Sequence, residues 1–145
     1  MPPDAPVILR AQLRPRAAVA RVERARRVPG QPSRRPAYVA RLLALGHQLR
    51  RLLDEGRVES VGELARRLEV SQPRITQLVN LTYLAPAIQA EVAALEAVDG
   101  KEPTSERPLR EVLREAGWAG QWRVWMSLRR LESVELAAEL APGVA

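Results

Sequence analysis

Residues 60–80 read SVGELARRLEVSQPRITQLVN, and the fold turns on how this stretch is placed. Two helix starts stand close together in it. Ser60 is positioned to cap the orphan amides of a helix beginning at Val61, and Glu63, three residues on, to reach back and complete a capping box. That helix runs to about Leu68. Ser71 marks a second start, where Pro73 is tolerated because first-turn amides have no helical acceptor to lose. Helices this short, separated by EVS, cannot each bury a face alone, so they pack on one another. Leu64, Ala65 and Leu68 form the inner side of the first, Val70 plugs the turn, and Ile75, Leu78 and Val79 form the inner side of the second. Ala65 is small where the helices cross. Gln72, Pro73, Thr76, Gln77 and Asn80 are left outside.

Over residues 61–80 this spacing resembles the helix-turn-helix of DNA-binding proteins. The resemblance implies that the second helix lies in the major groove with its first two turns against base edges. Glu69 departs from the family, which often places glycine there so that the chain turns with positive φ; a side chain at that position costs about 1 kcal/mol. The outer side chains suit base readout. Glutamine and asparagine match the adenine edge, arginine matches guanine, and the threonine methyl meets thymine. The candidate base contacts are Ser71, Gln72, Pro73, Arg74, Thr76, Gln77 and Asn80, centred on Gln72, Thr76 and Gln77, with Arg74 and Asn80 at the margin. Arg66 and Arg67, on the helix that crosses the backbone in this family, suit phosphate contacts. The plain alternative is a set of solvated polar positions on the free side of a small helical pair. Caps, inner positions and outer chemistry agreeing over one window favour the groove.

Charge is distributed unevenly around this core. Residues 1–36 carry nine arginines (10, 14, 16, 21, 24, 26, 27, 34 and 35) against Asp4 and Glu23, while the remaining 109 residues carry 14 basic and 15 acidic groups. The net charge of +6 is therefore the charge of an arm. Seven of the twelve prolines lie there too, which argues against a continuous folded element and for a disordered Arg/Pro-rich arm. Residues 7–14 alternate loosely, as a short strand does, and residues 17–28 have the composition of a segment that turns helical on a partner. The arm reads either as a solubilising tail or as an electrostatic arm that neutralises phosphates, with Arg34 and Arg35 among its phosphate contacts.

Downstream of the helix-turn-helix, residues 75–92 (ITQLVNLTYLAPAIQAEV) resemble the stretch that leaves this motif in the ParB and KorB partition-protein family. Leu78, Leu81 and Leu84 are followed by Pro86, Ile88 and Gln89 in the family's order. The resemblance covers about residues 37–97. A weaker likeness is to short helix-turn-helix proteins encoded beside recombinases of bacterial mobile elements. The family's nucleotide-handling domain is missing from the pattern, the basic arm standing in its place, so CTP-dependent clamping is not implied. No Gly-rich phosphate loop or acid cluster replaces it, and no enzyme is expected.

Around these motifs the helical pattern continues. Tyr38, Leu42, Leu45, Leu49 and Leu52 give an apolar stripe from about Ala37 to Asp54, with Gly56 as terminator. A helix from Pro86 to about Leu95 uses Ile88, Val92 and Leu95 as its inner side. Gly100 and Pro103 break the chain, and Thr104 or Ser105 caps a helix through about Glu115, ended by Gly117. Trp118, Trp122 and Trp125, at spacings of four and three, fall on one side of a last helix. Docking on the core and self-association are the two uses of that side; stacking on unpaired bases is a thinner third.

The expectation is an all-α protein with a helix-turn-helix: arm 1–36, DNA-binding domain 37–97, and C-terminal helices 98–145 that pack on the core or mediate self-association. With no cysteine and one histidine, His47, off the apolar stripe, no metal or cofactor is expected. Asp4, Arg10, Arg14 and Arg16 interrupt any signal-peptide-like run, so a cytoplasmic, nucleoid-associated location with no membrane partner is expected, an Arg-rich transit peptide being the alternative. Expected partners are double-stranded DNA, a second copy in a homodimer, and a recombinase or other protein. In the alternative function the helix-turn-helix and the Trp helix form a protein–protein adaptor; a third reading, RNA binding, would show as preference for single strands.

Overall fold

A computed structural model describes residue 25 and residues 28–140, the last five by backbone alone. Most of the basic arm, including its strand-like segment and all of the helix-prone one but residues 25 and 28, lies outside the described residues. The ordered elements are β1 (Arg34–Pro36), α1 (Tyr38–Asp54), α2 (Val61–Leu68), α3 (Gln72–Asn80), a 3-10 turn (Leu81–Tyr83), α4 (Pro86–Ala94), β2 (Glu96–Val98), α5 (Glu106–Val112) and α6 (Trp118–Leu140). The fold is all-α, with one two-stranded ribbon among the described residues. No described helix is long and apolar enough to cross a membrane.

α1 is the central element, and it buries more than the anticipated stripe. Val39, Ala40, Leu43 and Gly46 are buried besides Leu42, Leu49 and Leu52, because α3 packs on one flank of the helix and α4 on another. Gly56, at φ 66°, ends it as its sequence suggests, with the Arg57 amide donating to the Leu52 carbonyl at 3.0 Å. Gly46 marks a close backbone approach in the core. A Cβ there would stand 2.3 Å from the Leu78 carbonyl oxygen of α3, so the two backbones meet with only hydrogen between them.

Leu64, Ile75, Leu81, Leu84, Ile88, Val92, Leu109, Val112 and Trp125 join α1 in one apolar cluster. Residues 37–97 and the later helices therefore share a core. Two glutamines fix the exit from α3. Gln89 donates to the Thr82 and Leu84 carbonyls at 3.0 and 2.8 Å, and its oxygen lies 2.6 Å from His47 Nε2. Gln121, buried on α6, accepts the Ala85 amide at 2.7 Å. These bonds satisfy backbone groups that a 3-10 turn leaves open.

The boundary placed at Pro36 falls inside an ordered unit. β1 pairs antiparallel with β2, Arg35 opposite Ala97, and the expected last residue of α4, Leu95, is already extended, its carbonyl accepting the Ala37 amide at 2.8 Å. Residues before a proline favour extended backbone, and acidic partners hold the arginines: Arg34 pairs with Glu96 at 3.0 Å and Arg35 with Glu102 at 2.8 Å. Glu102 also accepts the Tyr38 amide at 2.8 Å, capping α1, whose own N-cap residue is alanine. Ser105 stands at the N-cap of α5 without a side-chain bond, while the Thr104 hydroxyl donates to Glu132 of α6 at 2.7 Å. α5 itself ends at Val112, short of the expected Glu115.

The contact at Gly46 gives a direct test. Gly46→Ala forces α1 and α3 apart and is expected to lower stability by about 1–3 kcal/mol, read as a lower urea midpoint, although alanine is the better helix former in isolation.

Candidate nucleic-acid interface

Local bonding fixes the α2–α3 pair. Ser60 Oγ accepts the Glu63 amide at 3.2 Å. Glu63 in turn accepts the Glu59 amide at 2.7 Å, one residue earlier than a capping box requires, and pairs with Arg67. The Glu59 hydrogen bond, with Arg67 and Arg66 nearby, lowers the Glu63 carboxyl below its ordinary range. At the turn, Glu69 takes the left-handed conformation, φ 55° and ψ 39°, the positive φ for which glycine is the usual residue. Its amide and that of Val70 close onto the Arg66 and Ala65 carbonyls at 3.3 and 3.0 Å. Ser71 Oγ then accepts the Arg74 amide at 3.3 Å, and Pro73 sits in the first turn of α3.

α3 stands on Ile75 and Leu78, both buried, while Ser71, Gln72, Pro73, Thr76 and Asn80 are exposed. No acidic residue occurs along α3. The Gln72 amide leans back towards α2, its Nε2 lying 2.8 Å from where a Cβ on Gly62 would stand; the glycine leaves it room.

Arg74 and Gln77 do not project with the outer set. Both are only partly exposed. Arg74 Nη1 donates to Glu106 Oε1 of α5 at 2.7 Å and lies 3.4 Å from Gln77 Oε1. The Glu106 carboxylate holds the guanidinium above its usual range. Position 74 lies one turn before the buried Leu78, on the flank that Glu106 of α5 reaches. Glu106 was not singled out in the sequence: its charge reads as an ordinary first-turn acid, and the 32-residue separation gives no local signal.

The phosphate candidates divide. Arg66 is exposed and makes no ion pair among the described residues. Arg67 is engaged by Glu63, and Arg34 and Arg35 are engaged by Glu96 and Glu102 beside the ribbon. The tryptophans divide as well. Trp125 is fully buried, its Nε1 donating to Glu91 at 2.6 Å, whereas Trp118, Trp122 and Met126 are 62%, 36% and 42% exposed. The spacing keeps all three on one side of α6, but the core covers that side only around Gln121 and Trp125, and Trp118, at the helix start, is left out.

Searches with the whole chain find no matching protein family, no matching curated protein and no matching solved structure.

A pH test follows from Glu63. Its folded carboxyl titrates below the unfolded value, so its stabilisation is complete above the ordinary carboxylate range and drains away as pH falls through the folded value. Glu63→Gln is expected to be less stable than wild type at neutral pH and to match it in strong acid, as measured by urea midpoints across the series.

Proposed function

We propose that this chain binds double-stranded DNA sequence-specifically, laying α3 in the major groove. The supporting observation is an acid-free helix face held outward on a buried aliphatic underside, with Gln72, Thr76 and Asn80 exposed along it. Amide side chains read adenine, and the threonine methyl reads thymine. Arg66 and the arginines of the amino-terminal segment supply phosphate contacts that attract any duplex and fade with salt. The ParB/KorB-like order of residues 75–92 belongs to this proposal, as does a bacterial, nucleoid-associated setting. A symmetric site would be read by two copies.

Selection of bound fragments from a random duplex library is the primary test. An enriched consensus supports the reading, and a palindromic one adds the second copy; enrichment of nothing sinks it. Two quantitative outcomes accompany it. With roughly 6 phosphates neutralised, affinity falls on the order of 10³-fold between 50 and 200 mM salt, and a flat response in a fluorescence-anisotropy titration contradicts the arm's role. Gln72→Ala or Thr76→Ala weakens the selected site by about 1–3 kcal/mol and random duplex little, which equal losses on both would refute.

One observation favours a second reading, the protein–protein adaptor. Trp118, Trp122 and Met126 follow one another at four-residue steps and are exposed, and aromatic ridges of this kind anchor protein contacts. On that reading a recombinase or similar partner docks on α6 and duplex binding is incidental. A Trp118→Ala, Trp122→Ala double variant would then lose the function while keeping whatever DNA affinity the chain has.

A further inference from the structure

Beyond its packing on α1, α3 is tied to α5 through the pair between Arg74 and Glu106, with Tyr38 of α1 beside the same guanidinium. Nη1 and Oε1 lie 2.7 Å apart, and the side chains are 30% and 15% exposed. Since the same Nη1 reaches Gln77, one carboxylate fixes two side chains of the candidate reading surface. Glu106 also has a substitute cation. Arg110 stands four residues further along α5, and both line an open groove of about 460 Å³ together with Tyr38, Glu102 and Arg107. Glutamate followed four residues later by arginine is the favourable helical order for pairing. The three charges therefore have two arrangements: Arg74 on Glu106 as observed, or Arg74 on a base edge with Glu106 turned to Arg110.

We propose that Glu106 is a specificity-determining residue acting through Arg74, which it yields to guanine and withholds from other bases; this rests on the major-groove reading above. Guanine offers one guanidinium two acceptors, O6 and N7, whereas the other bases offer no such pair in the major groove. Only that paired acceptor offers the guanidinium two hydrogen bonds on one base in exchange for the one it gives up to the carboxylate, whose charge Arg110 then takes. On other sequences Arg74 stays on Glu106 and adds nothing. Discrimination then comes from withholding a contact from the wrong partner as much as from rewarding the right one. Glu106 is a positioning residue in this scheme and touches no DNA.

The test compares wild type, Glu106→Gln, Arg74→Gln and the double variant at one salt concentration, on three duplexes: the sequence the wild type selects, its single-base-pair variants, and random DNA. Arg74→Gln is expected to lose a preference of about tenfold for guanine at one base pair per site. Glu106→Gln is expected to bind random duplex more tightly while its cognate-to-random ratio falls about tenfold, and the double variant to behave as Arg74→Gln. Equal tightening on cognate and random duplex by Glu106→Gln would reflect only a removed negative charge, and would overturn the proposal. So would an Arg74→Gln variant that keeps every base preference. If Glu106→Gln unfolds under assay conditions, Glu106→Asp decides: the shorter side chain keeps the charge and the first-turn acid but loosens the hold on Arg74, so random duplex is expected to bind more tightly and the cognate-to-random ratio to fall in a folded protein, and an unchanged ratio refutes the assignment. A wild-type protein that selects no sequence brings down the major-groove reading itself, an outcome the wild-type arm reports before any variant is compared.

Discussion

A close backbone approach in the core, Gly46 of α1 against the Leu78 carbonyl of α3, sets the depth at which α3 sits. Helix axes normally stand 8–10 Å apart according to the side chains between them; here one side contributes no carbon at all. Ile75 and Leu78 are drawn fully into the core as a result, and the polar side of α3 is held out by a rigid underside. With more bulk at that crossing, α3 would ride higher and tilt, and Arg74 would no longer meet Glu106.

A second constraint is polar. The start of α1 and the segment leaving α3 are not held by long helices of their own but by side chains arriving from far along the chain. Gln121 of α6 takes the Ala85 amide, Gln89 takes two carbonyls of the 3-10 turn, and Glu102 takes the Tyr38 amide while pairing with Arg35. Buried backbone groups must find partners, and a turn with no regular ladder finds them in amides and carboxylates. This explains why the later helices belong to the same body as the α2–α3 pair: they complete its hydrogen bonding as well as its apolar core.

The parts legible in the sequence are those decided within a few residues. Ser60 and Ser71 announce two helix starts, the spacing of Leu64, Ala65, Ile75 and Leu78 announces the buried sides, and the left-handed residue falls at Glu69. Features decided by distant partners were not legible. Pairing of β1 with β2 depends on residues sixty or more apart, and Asp99 and Gly100, both at positive φ, form the turn after β2, where the residues read only as a helix break. Arg74 has the right chemistry for guanine and the right helix, yet Glu106 has to be present in space before its different engagement can be seen. The tryptophan spacing predicted a shared side correctly for an ideal helix, but which indole is covered depends on where α4 places Glu91.

That last asymmetry gives the molecule a built-in optical label. Trp125 sits dry against Glu91 while Trp118 and Trp122 are wetted, so emission contains a short-wavelength component from one indole and a long-wavelength component from two. An aqueous quencher would silence the second and spare the first. Loosening of α6 from α4 would therefore register as a red shift, and anything settling on the start of α6 as protection from the quencher, with no dye attached and the two events separated by colour.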